Sequence, residues 1–410
     1  MGIVNSSGYN EKNKNFPKRI SLIGGGRWAR VLTDVLSDLV PSSVEIVIHS
    51  IHNSKFISSW VSQIDAGKRI QVASDWPKLE KGNSTVVIIA NAAKDHAKAI
   101  EFALMAEVSV LVEKPLTLSS TTSEQLINVA QSKGVRLAAS HVFLYARYIE
   151  NFAKLISKEK NIQSLNFVWT DPKAETRYGE LKKYDPFLPV YVDCLPHVLS
   201  ILDALFPDRL QSCTNLKLVR GGAELKLEIL LGDIPCTIHL ERNGKDRCRN
   251  IEVVTKEDRF QLDFSQEPGF IFANSKKVVG DSQWETSKRP LACMLTSFLN
   301  WAGGGEFDKR LSVELGLRIN RTIDQVSDFY HSAMADWFKY KLMDSLYSVD
   351  EDVVYALAET LQVEEVYLTE LIIKKILDQV KDRFLKLNEI TYLQILACMK
   401  EALRQIKGSL

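Results

Sequence analysis

Three residues in this chain are of types, and at spacings, that could handle protons. Lys114 lies in the tripeptide Glu113-Lys114-Pro115, directly after the apolar run 108–112. Asp193 and His197 are four residues apart in a segment, 189–205, that reads as a helix, so they share one face and can serve one cleft. Histidine titrates near neutral pH and can give a proton to, or take one from, an atom whose charge changes during a reaction. A partly desolvated lysine polarises such an atom, stabilises negative charge developing on it, or relays the proton if burial lowers its pKa. His197 is the candidate acid/base, Lys114 the candidate electrophile or relay, and Asp193 the group that orients a ligand or balances charge. A lone helix histidine is more often satisfied against a core and a lone aspartate more often caps or pairs, so the reading rests on the three together.

The elements that must position them alternate. A strand over 18–23 leads into Ile23-Gly24-Gly25-Gly26-Arg27-Trp28-Ala29, and a helix over 28–40 places Ala29, Leu32, Val35, Leu36 and Leu39 on one face before Pro41. Gly24, Gly26 and Ala29 fit G-x-G-x-x-A, a tight turn whose backbone N–H groups approach a pyrophosphate. Arg27 and Trp28, in the same turn, join the candidate cofactor set. Further strands read at 44–49, 69–73, 85–90, 108–112 and 134–140, with helices at 56–64, 95–106 and 119–132. Continuous apolar strands are covered on both faces, so residues 18–140 form a doubly wound, parallel, dinucleotide-binding Rossmann domain. An acid about twenty residues past the glycines would select NAD. Here stand His49, Ser50, His52, Asn53, Ser54 and Lys55. Ser50, Asn53 and Lys55 can hydrogen-bond or neutralise a 2′-phosphate, so NADP is expected in preference to NAD.

After Ser140 the pattern becomes that of an α+β substrate domain over 141–340. Strands read at 162–170, 214–220, 224–231, 235–242, 249–255 and 259–264, largely in the period-two alternation of a sheet with one covered face. Helices read at 290–301 and 313–329. His141 and Tyr145 follow the sixth strand on the side where ligands bind in such sheets, and Arg177 and Tyr178 lie in a loop that could recognise an anionic group. All four are candidate substrate contacts. Residues 1–17 read as a disordered tail. Residues 341–410 read as a helical extension: a capping box at Ser348-Val-Asp-Glu351, a helix over 363–387, and a last helix capped by Asn388. Its apolar faces need cover, from the substrate domain or from assembly as a homo-oligomer or with a protein partner; assembly is the expectation.

Composition narrows the partners. The 410 residues carry 52 basic and 51 acidic side chains, a formal charge of +1, which offers no general attraction to nucleic acid or membrane. Six cysteines form no C-x-x-C pair and no zinc-ligand spacing, so no metal is expected, and this usage fits a reducing cytoplasm. No apolar run approaches the length that spans a bilayer.

Over about 18–335 the order of parts resembles the glucose-fructose oxidoreductase and inositol dehydrogenase family, Gfo/Idh/MocA. The resemblance is carried by the glycine turn, then Ala90-Asn-Ala-Ala-Lys-Asp-His96, then Val112-Glu-Lys-Pro115, then Asp193-Cys-Leu-Pro-His197. It implies that Lys114, Asp193 and His197 border the nicotinamide and a small-molecule substrate, and that Asn91, His96 and Glu113 approach the cofactor. The implied activity is NADP-dependent interconversion of a ketone and a secondary alcohol on a sugar, nucleotide-activated sugar or cyclitol. Leu195, where a glycine is usual, keeps open the reduction of a C=N bond in an amino-acid-derived or carrier-bound metabolite. A non-catalytic nucleotide-binding scaffold is the third reading.

Overall fold

The computed structural model describes residues 16–64, 69–82, 84–177, 180–181, 184–185, 188–207, 209, 211–274, 276–343, 349–384 and 391–408. Most of the expected N-terminal tail, Tyr178, Ser348 and Asn388 lie outside the described residues. The packing divides the chain into two compact units. One runs through Tyr145 and resumes over Lys288–Leu317; the other comprises Ala146–Ser287 and the chain from Arg318 onward.

The first unit is built on strands β1 (Arg19–Ile23), β2 (Glu45–His49), β3 (Ile70–Ala73), β4 (Thr85–Ile89), β5 (Ser109–Val112) and β6 (Leu137–Ala139). They pair in the order β3-β2-β1-β4-β5-β6, every pair parallel. Helices α1 (Arg27–Leu39), α2 (Ser54–Val61), α3 (His96–Met105) and α4 (Ser120–Ser132) make the crossovers. Two apolar layers result. Ile20, Leu22, Ile46 and Ile48 meet Leu32 and Leu36 of α1, whereas Val87, Val110 and Val112 meet Ile100 and Leu104 of α3 and Leu126 of α4. This is the expected doubly wound domain.

The second unit opens with helix α5 (Arg147–Ile156), strand β7 (Ile162–Pro172), the short pair β8 (Thr176–Arg177) and β9 (Glu180–Leu181), and helix α6 (Val190–Leu205). Strands β10 (Gln211–Val219), β11 (Glu224–Leu231), β12 (Ile234–Gly244), β13 (Cys248–Thr255), β14 (Arg259–Asp263), β15 (Phe270–Ala273) and β16 (Lys276–Val279) follow. With β7 they form an eight-stranded sheet in the order β10-β11-β12-β7-β13-β14-β15-β16, antiparallel except where β12 meets β7. β11 alternates strictly between buried and exposed side chains, as a strand with one covered face must. The edge hairpin β15–β16 escaped the sequence reading because all four β16 positions are exposed and give no alternation. Lys277 lies over Phe270 at 3.8 Å, covering apolar surface beside this edge strand.

Five helices close or extend the chain: α7 (Pro290–Ala302), α8 (Val313–Met343), α9 (Glu351–Leu361), α10 (Glu370–Phe384) and α11 (Tyr392–Gly408). The packing departs from the expected division at 140 and 340. α7 sends Met294, Leu295 and Phe298 into the core beside α1 and belongs to the first unit. α8 runs unbroken through 340, because nothing between 317 and 343 is Gly or Pro. The helical extension is part of the second unit. Val353, Leu357 and Leu361 of α9, Ile373, Ile376 and Val380 of α10, and Ile395, Met399 and Ile406 of α11 are all buried within it. Cover for these residues comes from the chain itself, whereas Val366, Leu371 and Leu393 of the extension stay exposed. The α9 cap is Asp350, whose Oδ1 accepts from Val353 N–H at 2.9 Å; this replaces the expected capping box. α9 meets the turn Arg220–Gly222 at Gly221, which has φ +62; a Cβ there would lie 2.3 Å from Asp352 O. No described helix is long and apolar enough to cross a membrane.

Candidate active site

In the first unit, strand register gathers the candidates. Ile23 pairs with Ile89 and Ile89 with Val112, so the glycine turn, Asn91 and Glu113-Lys114 leave three adjacent strands at one end of the sheet. Gly24 takes φ +148, and a Cβ on it would lie 2.5 Å from Ala90 O, so no other residue fits between the two strand ends. At Gly26, by contrast, a Cβ would meet nothing within 4 Å. Gly26 is also the N-cap of the 13-residue α1, and no side chain caps the N–H groups of the first turn. Open space before an uncapped, electropositive helix end suits a pyrophosphate. The residues present thus fit the phosphates of a dinucleotide.

Lys114 is half-buried and stands on a turn that its neighbours fix. Glu113 N–H donates to Ile89 O at 3.0 Å, and Ser140 Oγ donates to Glu113 Oε1 at 2.8 Å. Burial raises the Glu113 pKa; the Trp28 indole, the Ser140 hydroxyl and the Lys114 charge oppose that rise. On the other side, His96 is 1% exposed, with Nδ1 2.8 Å from Pro115 O and Nε2 3.3 Å from Asn91 O. Burial lowers the His96 pKa against the pull of these carbonyls. A neutral ring donates from one nitrogen, and the shorter contact assigns that proton to Nδ1. His96 therefore ties the Lys114 turn to the end of β4.

The loop after β2 carries no carboxylate between His49 and Lys55. Ser50 Oγ accepts from Asn53 N–H, and Asn53 Nδ2 donates to Gly25 O, both at 3.2 Å. These two residues brace the loop against the glycine turn, and Lys55 is exposed on the first turn of α2. Arg27 opens α1, and Trp28 packs partly against the first core layer.

In the second unit, α6 carries the other pair. From Val190 to Leu202 every residue of this helix is buried except Asp193 and His197, which are half-buried. Asp193 accepts from Arg242 Nη2 on β12 at 3.2 Å. The His197 ring stacks on Trp169 of β7, centroids 5.4 Å apart and planes at 16°. β7 and β12 are neighbours, Trp169 pairing with Leu240, so one helix face lays both side chains over adjacent strands, as the four-residue spacing requires. Arg249 sits over the same Trp169 ring at 3.8 Å.

Residues 18–141 match the model of the Gfo/Idh/MocA group, described as an oxidoreductase family with an NAD-binding Rossmann fold. The nucleotide-binding domain belongs to the Gfo/Idh/MocA family. Among curated proteins nothing matches the chain. Among solved structures the fold is shared by KijD10, a 3-ketoreductase from Actinomadura kijaniata in complex with NADP and TDP-benzene. It is 19% identical, with 76% of this chain and 97% of that one covered, at TM-score 0.61. UDP-N-acetylglucosamine 3-dehydrogenase GnnA from Acidithiobacillus ferrooxidans is 16% identical, covers 78% and 99%, and gives TM-score 0.60.

The other expected contacts stand as follows. Tyr145 belongs to the first core layer, with the Arg310 guanidinium 4.0 Å from its ring centroid; burial and the Asp308 carboxylate raise its pKa. Tyr145 is thus a core residue, the commoner fate of an aromatic at such a position. His141 is buried as well. Arg177 lies in β8, paired with Glu180 of β9, and Tyr178 is outside the described residues. The sequence reading missed Arg242, Trp169, Tyr355 and Glu359. Arg242 had a signal: Ile234, Cys236, Ile238 and Leu240 precede it at every second position, so alternation puts its charge on the buried face of β12.

Proposed function

We propose that this chain is an NADP-dependent oxidoreductase that interconverts a ketone and a secondary alcohol on a sugar, a nucleotide-activated sugar or a cyclitol. The observation that carries the reading is the register of β1, β4 and β5, which brings a phosphate-cradling glycine turn and a braced lysine to the same end of one sheet. A bound nicotinamide dinucleotide supplies or accepts the hydride at the carbon that bears oxygen. Lys114, on a turn held by Glu113 and His96, stabilises the negative charge that develops on that oxygen. His197, its ring plane set by Trp169, gives or takes the proton. Asp193 accepts a hydrogen bond from a substrate hydroxyl while Arg242 balances its charge. The loop without a carboxylate at 49–55 supports NADP over NAD, as does the NADP in the KijD10 complex. The activities named for KijD10 and GnnA support the sugar-nucleotide class.

The test is oxidation of NADPH, followed by nicotinamide absorbance, with a panel of nucleotide-activated keto sugars and cyclitol ketones. Turnover should appear with a member of the panel. Lys114→Ala and His197→Ala should each lower it by about a hundredfold, with NADPH binding retained. Turnover of cyclic imines with none of ketones would replace this reading by imine reduction. Near-normal turnover in both variants would remove the assigned roles.

A further inference from the structure

The Asp193 carboxylate is anchored from outside its own helix. The Arg242 side chain that donates to it is 5% exposed, against 29% for Asp193 itself. Arg242 Nη1 donates to Leu188 O at 2.9 Å, just before α6, and to the Tyr355 hydroxyl at 3.3 Å. Tyr355 in turn donates to Glu359 Oε2 at 2.9 Å, and the Tyr330 hydroxyl donates to the other oxygen of that carboxylate. The Tyr184 ring covers the guanidinium at 4.8 Å. A continuous buried chain therefore runs from Asp193 through Arg242 and Tyr355 to Glu359, and both of its far members are on α9 of the C-terminal extension.

We propose that Tyr355 and Glu359 are positioning residues by which the extension fixes Arg242 and, through it, the Asp193 carboxylate. This rests on the reading of Asp193 given above. The physical reason lies in the guanidinium, a rigid planar fork whose donors turn together. Leu188 O and the Tyr355 hydroxyl hold Nη1, and that pair sets the plane in which Nη2 meets Asp193. Burial disfavours the Arg242 charge, and Tyr355, Asp193 and Glu359 outweigh that effect and hold the group protonated. Glu359 is buried in its turn, which raises its pKa, and Tyr330, Arg242 and Tyr355 act against the rise. Loss of the tyrosine hydroxyl frees the fork to rotate; loss of the Glu359 charge removes one of the groups that balance Arg242.

The test uses the full-length protein and the variants Tyr355→Phe, Glu359→Gln and Asp193→Asn, singly and combined. Turnover is measured with the substrate identified above, together with NADPH affinity and melting temperature. Tyr355→Phe should lower kcat by about tenfold with NADPH affinity held within about twofold. In the Asp193→Asn background the same change should cost less than about twofold, because the two residues act through one interaction. Glu359→Gln repeats the measurement should Tyr355→Phe fold poorly. A full tenfold loss on top of Asp193→Asn would overturn the proposal, and so would a lowered melting temperature with kcat unchanged. If Asp193→Asn alone turns over normally, the reading of Asp193 fails and this proposal falls with it. If Asp193→Asn is slow and Tyr355→Phe is not, only the present proposal fails.

Discussion

Replacing Gly221 with alanine should unseat the first helix of the extension. Gly221 has φ +62, and an added Cβ would lie 2.3 Å from Asp352 O and 3.1 Å from Ala356 Cβ, both on α9. An alanine in the left-handed region costs about 1–2 kcal/mol by itself. Crowding against a carbonyl oxygen that cannot rotate away, as a side chain could, adds about 1–3 kcal/mol. The total is about 2–5 kcal/mol. Gly134 supplies the control: its φ is +63, and a Cβ there would meet nothing within 4 Å. Gly134→Ala should therefore cost about 1–2 kcal/mol, the backbone share alone. At about 2–4 °C per kcal/mol for units of this size, Gly221→Ala should lose about 4–20 °C and Gly134→Ala about 2–8 °C. Thermal unfolding followed by circular dichroism measures both, and limited proteolysis reports whether the extension has become the first site of cleavage. Equal losses in the two variants would refute the seating of α9 on the Arg220–Gly222 turn.

Calorimetry should give tighter binding of NADPH than of NADH, and Lys55→Glu should weaken NADPH selectively; equal affinities would remove the cofactor assignment. Burial holds the folded-state pKa of Glu113 above its unfolded value, so its contribution to stability is present below the unfolded pKa and is lost as pH rises through the folded one. The loss has a limiting slope of about 1.4 kcal/mol per pH unit, and Glu113→Gln should flatten it in urea unfolding; parallel profiles for the two proteins would contradict this. Deleting residues 341–410 should lower the melting temperature sharply, since it uncovers the second unit and removes the partners of Arg242. A truncated protein that melts like the full chain but changes mass in light scattering would support the assembly reading instead.

The candidate residues of the first unit were legible because they are local. A glycine turn between a strand and an amphipathic helix, or a lysine at the end of an apolar run, announces itself within a dozen residues. His96 was legible as a position, but its bracing of the Lys114 turn was not: no sequence pattern tells that both ring nitrogens face backbone carbonyls 5 and 19 residues away. The spacing of Asp193 and His197 gave their common face, but their partners come from β7 and β12, strands reached through sheet pairing that no local period encodes. The extension showed the same limit. Its apolar stripes marked three helices correctly, whereas what covers those stripes depends on contacts with residues more than a hundred positions away, such as Gly221 with Asp352.

The placement of α7 has a consequence for how the molecule is made. The apolar layer that α1 shares with Met294, Leu295 and Phe298 is complete only when residue 302 is available, although the last strand of that sheet ends at Ala139. During synthesis, at about 5–20 residues per second, the nascent nucleotide-binding unit would leave the ribosome with one flank bare for about 10–30 s while the inserted sheet is translated. A fragment ending near residue 141, where the family match stops, would keep that flank bare permanently. Such a fragment needs α7 restored, for instance by a linker that rejoins residue 145 to 288, before it can serve as an independent nucleotide-binding module.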